Sequence, residues 1–423
     1  MPGSREIKQK FKSAIRRGTG EAYLLLQGNP KLDFSKEIIQ ACVKNFAYDG
    51  QCESSRAPYL FELIQLSGRT EEIKPAILAA LAIEQKDTWT LSQLFEITKI
   101  YAQNGDIDAK KGIYDRFFNN IIEGSDWLGS YEIVDLDGID GLKFVAAKMG
   151  ESLLNDPDDW QDRYLIDYLQ EKKPALNVWR ELEEAGEHNP CINAYLDNIR
   201  KTENNRNNYQ PENPFYKNAA DEVLLTKRKS IISNKKWKKS ELLHIAKRLI
   251  VEKNQKNLAR LLRAFKRFTF PFESKYLLDI ANNAKLRNEI KFSLYDALGN
   301  LRDDEVRKFA TDKLLNAPDP HQFAIILKAN YKKGDFKILT EIINRIKNEA
   351  AVEMLMLDIH EVYHRNKTKE CTGPLEALYN KSNCAMCRNR IVKLLIENDV
   401  LPSQIKDEIA FDCDEDTRKL LAV

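Results

Sequence analysis

Residues 286–316 constrain the fold most strongly, because they contain two adjacent amphipathic helix patterns. The first pattern has an apolar residue at every third or fourth position, which predicts a helix with one apolar face. Its apolar residues are Leu286, Ile290, Leu294, Leu298 and Leu301. Asp303 or Asp304 can cap a second helix, whose apolar side holds Val306, Phe309, Ala310 and Leu314. Since two such helices bury little surface alone, the pattern indicates several stacked helix pairs.

This helix pair resembles a HEAT repeat, in which an apolar first helix is followed by a short acidic turn and a Val-Arg pair, here Val306 and Arg307. Residues 60–68 also align with residues 94–102 at an offset of 34 residues. That offset equals the tetratricopeptide period, but the Trp, Gly-Tyr, Ala and Pro positions of that family are missing. The resemblance therefore implies an all-α fold, a right-handed α-solenoid of HEAT-like helix hairpins. It implies no particular activity.

Turn sequences and one polar stretch predict how the helices are grouped. Residues 104–106 (Asn-Gly-Asp) and 333–335 (Lys-Gly-Asp) each supply a glycine for a left-handed helix end and an aspartate for the next N-cap. Residues 201–215 contain two prolines and almost no apolar side chains, which is typical of a linker. We therefore expect an N-terminal helical repeat half at residues 1–200 and a C-terminal HEAT-like half at residues 216–423.

The cysteine count and the hydropathy predict a protein of a reducing, aqueous compartment. The chain of 423 residues has seven cysteines, an odd number that does not suit a disulfide framework. Residues 1–18 lack an apolar core of signal-peptide length, and the longest apolar run, residues 76–83, is too short to span a bilayer. We therefore expect a cytoplasmic protein with no membrane partner.

Charge is distributed unevenly along the chain. Residues 126–187 contain 16 acidic and 6 basic residues, a local net charge of −10. Residues 227–267 contain 15 basic and 2 acidic residues, a local net charge of +13. If residues 256–267 form one helix, Lys256, Arg260, Arg263 and Arg267 lie in a single stripe along its axis.

The basic region at residues 227–267 has three interpretations. It is a track for the phosphates of DNA or RNA, a helix face that is solvated or neutralised within the molecule, or a contact for an acidic protein partner. Nothing in it predicts base-specific contacts, so any nucleic-acid binding would use the backbone and depend on salt. The candidate nucleic-acid-binding residues are Lys235, Lys236, Lys238, Lys239, Lys256, Arg260, Arg263 and Arg267.

Cysteines and histidines near the C-terminus allow a metal site. Cys384 and Cys387 have a C-x-x-C spacing at the start of a predicted helix, and His360, His364 and Cys371 precede them. Zinc accepts thiolate and imidazole ligands, so these five residues are candidate ligands of a structural zinc ion. Because only one C-x-x-C pair is present, packed reduced cysteines and a redox pair are alternatives. No other cofactor is expected.

Little in the sequence indicates an enzyme, because no nucleophile, metalloprotease or phosphate-loop motif is present. The architecture is similar to that of HEAT-like DNA glycosylases, which grip an alkylated base with aromatic and acidic side chains. The pairs Asp126-Trp127 and Asp159-Trp160 are of the right types, although residues 156–160 are better interpreted as a helix start. We therefore expect a non-enzymatic scaffold or adaptor that binds a protein partner. The alternative is a nucleic-acid-binding protein that uses the basic region.

Overall fold

The computed structural model describes residues 3–119, 127–156, 159–207, 216–227, 229–283 and 286–421, with the main chain alone described at residues 205–207 and 229. Helices, turns and loops make up all of these residues, and no strand occurs among them. The predicted all-α fold is therefore confirmed. No helix in this part of the chain combines the length and the apolar character needed to cross a bilayer.

The chain divides into two compact units. Unit 1 comprises Met1–Glu212 and Glu408–Arg418, and unit 2 comprises Asn213–Asp407 and Lys419–Val423. The first part of unit 1 contains α1 Ser4–Arg17, α2 Glu21–Gly28, α3 Ser35–Cys42, α4 Ala57–Ser67, α5 Thr70–Ile83, α6 Thr88–Gln103, α7 Ile107–Phe118, α8 Ser130–Asp137, α9 Ile139–Asn155, α10 Tyr164–Lys172, α11 Val178–Gly186 and α12 Pro190–Asn207.

The remaining helices follow in chain order. They are α13 Ala219–Leu225, α14 Lys229–Asn234, α15 Lys239–Val251, α16 Gln255–Arg263, α17 Lys275–Ala281, α18 Asn288–Gly299, α19 Asp304–Asn316, α20 Phe336–Arg345, α21 Glu349–Arg365, α22 Thr372–Tyr379, α23 Ala385–Glu397, α24 Ser403–Ile409 and α25 Glu415–Arg418. In the described part of the chain, 3₁₀ helices span Pro320–Lys328, Lys369–Cys371 and Lys419–Leu421. The chain returns to unit 1 within α24.

Helices of unit 1 pack in a regular order. From α3 to α6, each helix contacts the next two helices along the chain. Between α6 and α7, Gly105 has a φ of +91° and the Asp106 carboxylate accepts a hydrogen bond from the N–H of Ala109, as the turn sequence predicts. This order of neighbours is typical of stacked helix hairpins. The right-handed solenoid itself stays a prediction.

In unit 2, the helix pair expected at residues 286–316 is present as α18 and α19. The Asp303 carboxylate accepts hydrogen bonds from the first N–H groups of α19, and the apolar face of each helix is buried. Successive turns are also joined by asparagine side chains. The amide of Asn300 donates to the carbonyl of Phe265, that of Asn330 to Leu301, and that of Asn366 to Lys328. Each amide thus ties one turn to an earlier one, a pattern that the hydrophobic spacing does not reveal.

The last helical segment of unit 1 comes from the far end of the sequence. The N–H of Cys413 donates to the carbonyl of Gly18 at 2.9 Å, and the rings of Phe411 and Tyr23 stack with centroids 4.1 Å apart. The guanidinium of Arg418 makes two hydrogen bonds, of 2.8 and 2.9 Å, to the Glu62 carboxylate. Nothing in the sequence pattern predicts this placement of Glu408–Arg418.

The polar stretch at residues 201–215 lies partly within a helix. Residues 201–207 form the end of α12, and residues 208–215 lie outside the described residues. The division between the units falls between Glu212 and Asn213.

Candidate binding cleft

Unit 1 contains an open cleft of about 800 Å³ whose lining includes a group of aromatic side chains. It is formed by the end of α7, by α9 and α12, and by the segments 127–131 and 159–165. The aromatic residues that line it are Phe117, Phe118, Trp127, Tyr131, Trp160, Tyr164 and Tyr195. The charged residues that line it are Lys148, Glu151, Asp159 and Asp162. We refer to this site as the aromatic cleft.

Four of these rings are exposed to a degree that is unusual for large aromatic side chains. Tyr131 is 43% exposed, Phe118 57%, Trp160 58% and Tyr164 60%. Isolated exposed aromatics are common on protein surfaces, but a group around one concavity marks a site where a ligand or partner binds.

Close contact between α9 and α12 sets the floor of the aromatic cleft. A Cβ atom at Gly150 of α9 would lie only 1.7 Å from the carbonyl oxygen of Cys191 in α12, so glycine alone permits this approach. The helix pair brings Met149 and Ser152 of α9 beside Tyr195 of α12 in the lining.

Helix α12 also holds residues 159–163 in place at the edge of the cleft. The Asn198 side chain donates to the carbonyl of Asp159 at 2.9 Å and accepts from the N–H of Gln161 at 2.8 Å. The Tyr195 hydroxyl donates to the carbonyl of Asp162 at 3.4 Å. The predicted helix start at residues 156–160 is wrong, since residues 159–163 are not helical and α10 begins at Tyr164; residues 157–158 lie outside the described residues. These contacts with α12 hold the segment in its non-helical form.

Trp127 lines the cleft with an unusual backbone conformation. Its φ is +59°, in the left-handed region that bulky residues rarely adopt. Ser130 donates its N–H to the carbonyl of Trp127 at 3.1 Å, and Gly129 lies so close to the ring of Phe95 that a Cβ would be 2.6 Å away. Such strain is found mostly where the surrounding structure fixes a functional side chain. The neighbouring residue Asp126 lies outside the described residues.

The charged groups of the cleft leave a negative excess. Glu151 pairs with Lys148 at 2.8 Å, and the Lys148 ammonium lies 4.3 Å from the centroid of the Phe118 ring. Asp159 and Asp162 accept hydrogen bonds from main-chain N–H groups, and neither forms an ion pair within the described part of the chain. Burial, followed by the charge of Asp162, raises the pKa of Tyr131. Partly exposed aromatic rings beside unpaired carboxylates favour a cationic group.

Some cations of the basic region of unit 2 make contacts within the protein, so fewer of them are available to bind a ligand than the sequence indicates. Helix α16 ends at Arg263, so Arg267 is not on that helix and the predicted four-residue stripe is wrong in its extent. The guanidinium of Arg260 donates to the carbonyls of Val223, at 3.1 Å, and of Thr226, at the end of α13. The Lys235 ammonium binds the Glu222 carboxylate at 2.6 Å and lies 4.2 Å from the centroid of the Trp237 ring.

Other candidate residues of the basic region do face solvent. Arg263 is half-buried, and the remaining candidates are exposed. The exposed ones are Lys236, Lys238, Lys239, Lys256 and Arg267. The region therefore combines exposed cations with cations that hold helices together.

The five candidate zinc ligands do not form one cluster. His360 and His364 stack on each other with ring centroids 5.7 Å apart, and Cys371 is buried. Among the described residues, the group of cysteine, histidine and acidic side chains that could share a metal ion contains Cys384, Cys387 and Glu353. Sequence reasoning missed Glu353, because it lies 31 residues before Cys384 on another helix.

Neither the models of known protein families nor the curated proteins give a match to this sequence. The functional interpretation therefore depends on the geometry of the aromatic cleft and of the basic region.

Proposed function

We propose that the protein is a non-enzymatic scaffold or adaptor that binds a basic segment of a protein partner in the aromatic cleft of unit 1. The observation that supports this is the combination of exposed Trp160, Tyr164 and Tyr131 rings with the unpaired carboxylates of Asp159 and Asp162. A lysine or arginine side chain over an aromatic face contributes about 0.5–2 kcal/mol, and the carboxylates add electrostatic attraction.

The charge around the cleft favours a basic protein segment over nucleic acid. The cleft is built from residues of the acidic stretch 126–187, which has a net charge of −10, together with parts of α7 and α12. Phosphate backbones bind where lysines and arginines replace their counterions, and an acidic surface repels them. A positively charged peptide gains from the same field.

A peptide-binding experiment with the full chain tests this proposal. The probe is an unstructured lysine-rich peptide, and binding is measured by calorimetry at two salt concentrations. We expect Trp160→Ala to weaken binding about 10-fold, because it removes one ring of the cleft. Trp89→Ala is the matched control, since Trp89 is a 47% exposed residue of unit 1 outside the cleft. Equal affinity of the wild type and Trp160→Ala, or no binding to the wild type, contradicts the proposal.

Nucleic-acid binding by the basic region is the second candidate, and the exposed lysines of that region favour it. The test measures affinity for a short DNA duplex and a matched RNA at two salt concentrations. The variant carries Gln at Lys236, Lys238, Lys239 and Lys256, which spares the structural residues Arg260 and Lys235. The control carries Gln at four other exposed lysines of unit 2, namely Lys308, Lys333, Lys337 and Lys347. A loss confined to the first variant supports this candidate.

Base excision is an enzymatic variant of nucleic-acid binding that would place the excised base in the aromatic cleft. Trp127, Asp159 and Trp160, which are of the residue types used by HEAT-like DNA glycosylases, line the same cleft. A base that becomes cationic on alkylation at a ring nitrogen suits the chemistry of the cleft. Incubation of the protein with an alkylated duplex, followed by analysis of released bases, tests this directly. Release that Asp159→Asn abolishes would replace the adaptor proposal with an enzymatic one.

A further inference from the structure

Two thiols and a carboxylate meet in unit 2, where α21 packs against the start of α23. The Sγ atoms of Cys384 and Cys387 and a carboxylate oxygen of Glu353 lie within 4.8 Å of one another. Cys384 and Glu353 are buried, whereas Cys387 is partly exposed. Cys384 and Glu353 therefore lie on the buried side of the cluster, and Cys387 lies on the side that solvent reaches.

The Glu353 carboxylate is held in one orientation by the loop before α23. The Ser382 hydroxyl donates to its Oε2 at 2.9 Å, and the N–H groups of Asn383 and Cys384 donate to its Oε1 at 2.8 and 3.2 Å. In metal sites, such outer hydrogen bonds orient a ligand before the ion binds. Since a carboxylate oxygen has two acceptor positions, Oε2 retains one that can face a cation.

The two thiols lie at the positive end of a helix. Cys384 is the N-cap of α23, and its Sγ accepts a hydrogen bond from the N–H of Cys387 at 3.4 Å. This position stabilises a thiolate. In the other direction, the hydrogen bond to Cys384, burial and the neighbouring negative charges raise the pKa of Cys387. A cation bound between the two thiols would stabilise their ionised form.

We infer that Cys384, Cys387 and Glu353 form a site for a divalent cation of the zinc class, with two thiolates, one carboxylate oxygen and a fourth position open to water. The C-x-x-C spacing on a helix start is common in zinc sites, and the thiolates disfavour calcium and magnesium. On binding, the two thiols release two protons to the buffer, so affinity rises with pH.

A buried arginine braces the loop beside the cluster. Arg388, the residue after Cys387, is fully buried. Its guanidinium donates to the carbonyls of Ser382 and Asn383 at 3.5 and 3.3 Å, in the same loop that orients Glu353.

The experiment uses the full chain, reduced with a phosphine and given Zn²⁺ or Co²⁺ as the only metal. We expect one equivalent to bind and Co²⁺ to produce a thiolate-to-cobalt charge-transfer band. Zn²⁺ should also protect Cys384 and Cys387 from alkylation, which mass spectrometry locates without any variant. We expect Cys387→Ser to abolish the band and Glu353→Gln to weaken binding at least about 10-fold. Cys52→Ser, at an exposed cysteine outside the cluster, is the matched control and should bind normally.

Three outcomes overturn the inference. The first is a folded wild type that shows neither the cobalt band nor protection of the two thiols. The second is a Cys384→Ser/Cys387→Ser double variant that keeps its equivalent of metal. The third is an unchanged affinity in Glu353→Gln, which would remove the carboxylate from the site. Circular dichroism of each variant establishes that it is folded.

Discussion

The aromatic cleft of unit 1 and the basic region of unit 2 carry opposite charge, and they differ in how much of that charge is already engaged. In the basic region, Arg260 holds the end of α13 and Lys235 binds Glu222. In the cleft, Asp159 and Asp162 form no ion pair within the described residues. The basic region, which has the larger net charge of the two, therefore uses some of its cations to hold its own helices together. The total charge of a region therefore overstates the charge that is available for binding.

The largest expected effect comes from separating α9 and α12. We expect Gly150→Ala to destabilise unit 1 by about 3 kcal/mol and to abolish binding in the cleft, because the new methyl group meets the main chain of Cys191. Chemical denaturation and the peptide titration measure the two effects. Gly112→Ala in α7 is the control, since its Cβ meets only Leu78 at 3.9 Å and alanine favours the helix. A stable, binding-competent Gly150→Ala variant would show that the cleft does not depend on this helix contact.

Next in size is the loss of an engaged cation. We expect Arg260→Gln to lower the free energy of unfolding by about 2 kcal/mol, because two carbonyls at the end of α13 lose a charged donor. Lys256→Gln, on the same helix but exposed, should cost less than about 0.5 kcal/mol. Urea denaturation of both variants measures the difference. If both variants lowered the free energy of unfolding equally, Arg260 would contribute no more to stability than the exposed Lys256.

A half-buried acid of unit 1, Glu96, provides a pH test. Burial, followed by the charge of Glu132, raises the pKa of Glu96 from 4.5 to about 7. The folded state therefore keeps this proton to a higher pH than the unfolded state, and stability falls as the pH rises from about 4.5 through 7. We expect Glu96→Gln to flatten this fall and to add about 1–2 kcal/mol at pH 8. Thermal denaturation between about pH 5 and pH 8 measures the change, and an unaltered pH profile would contradict it.

The smallest effect on stability is expected at the unpaired acids of the cleft. The double variant Asp159→Asn/Asp162→Asn should change the free energy of unfolding by less than about 0.5 kcal/mol. The same variant should lower the affinity for the lysine-rich peptide several-fold. Asp135→Asn is the contrasting control, because the Asp135 carboxylate binds Lys99 and Tyr168 at 2.8 and 2.7 Å. That control should lose stability. A double variant that is clearly destabilised would show that these acids are engaged after all.

Some local features of the structure were predictable from sequence, whereas sites built from distant segments were not. The α18–α19 pair and the cap at Asp303 follow from apolar spacing and turn chemistry, which act within one or two helix turns. The aromatic cleft combines residues from Phe117 to Tyr195, so no spacing rule connects them. The end of α16 at Arg263 was missed because the same apolar spacing continues to Phe265, although the helix itself has stopped.

The position of Glu408–Arg418 in unit 1 has a consequence for biosynthesis. Between the two parts of unit 1 lie the 195 residues of Asn213–Asp407, which a ribosome adds in about 10–40 s. During that interval the surface around Tyr23 and Glu62 lacks its partners Phe411 and Arg418. Unit 1 therefore cannot complete its contacts until residues 408–418 have been synthesised, so its folding ends only after most of unit 2 has been made.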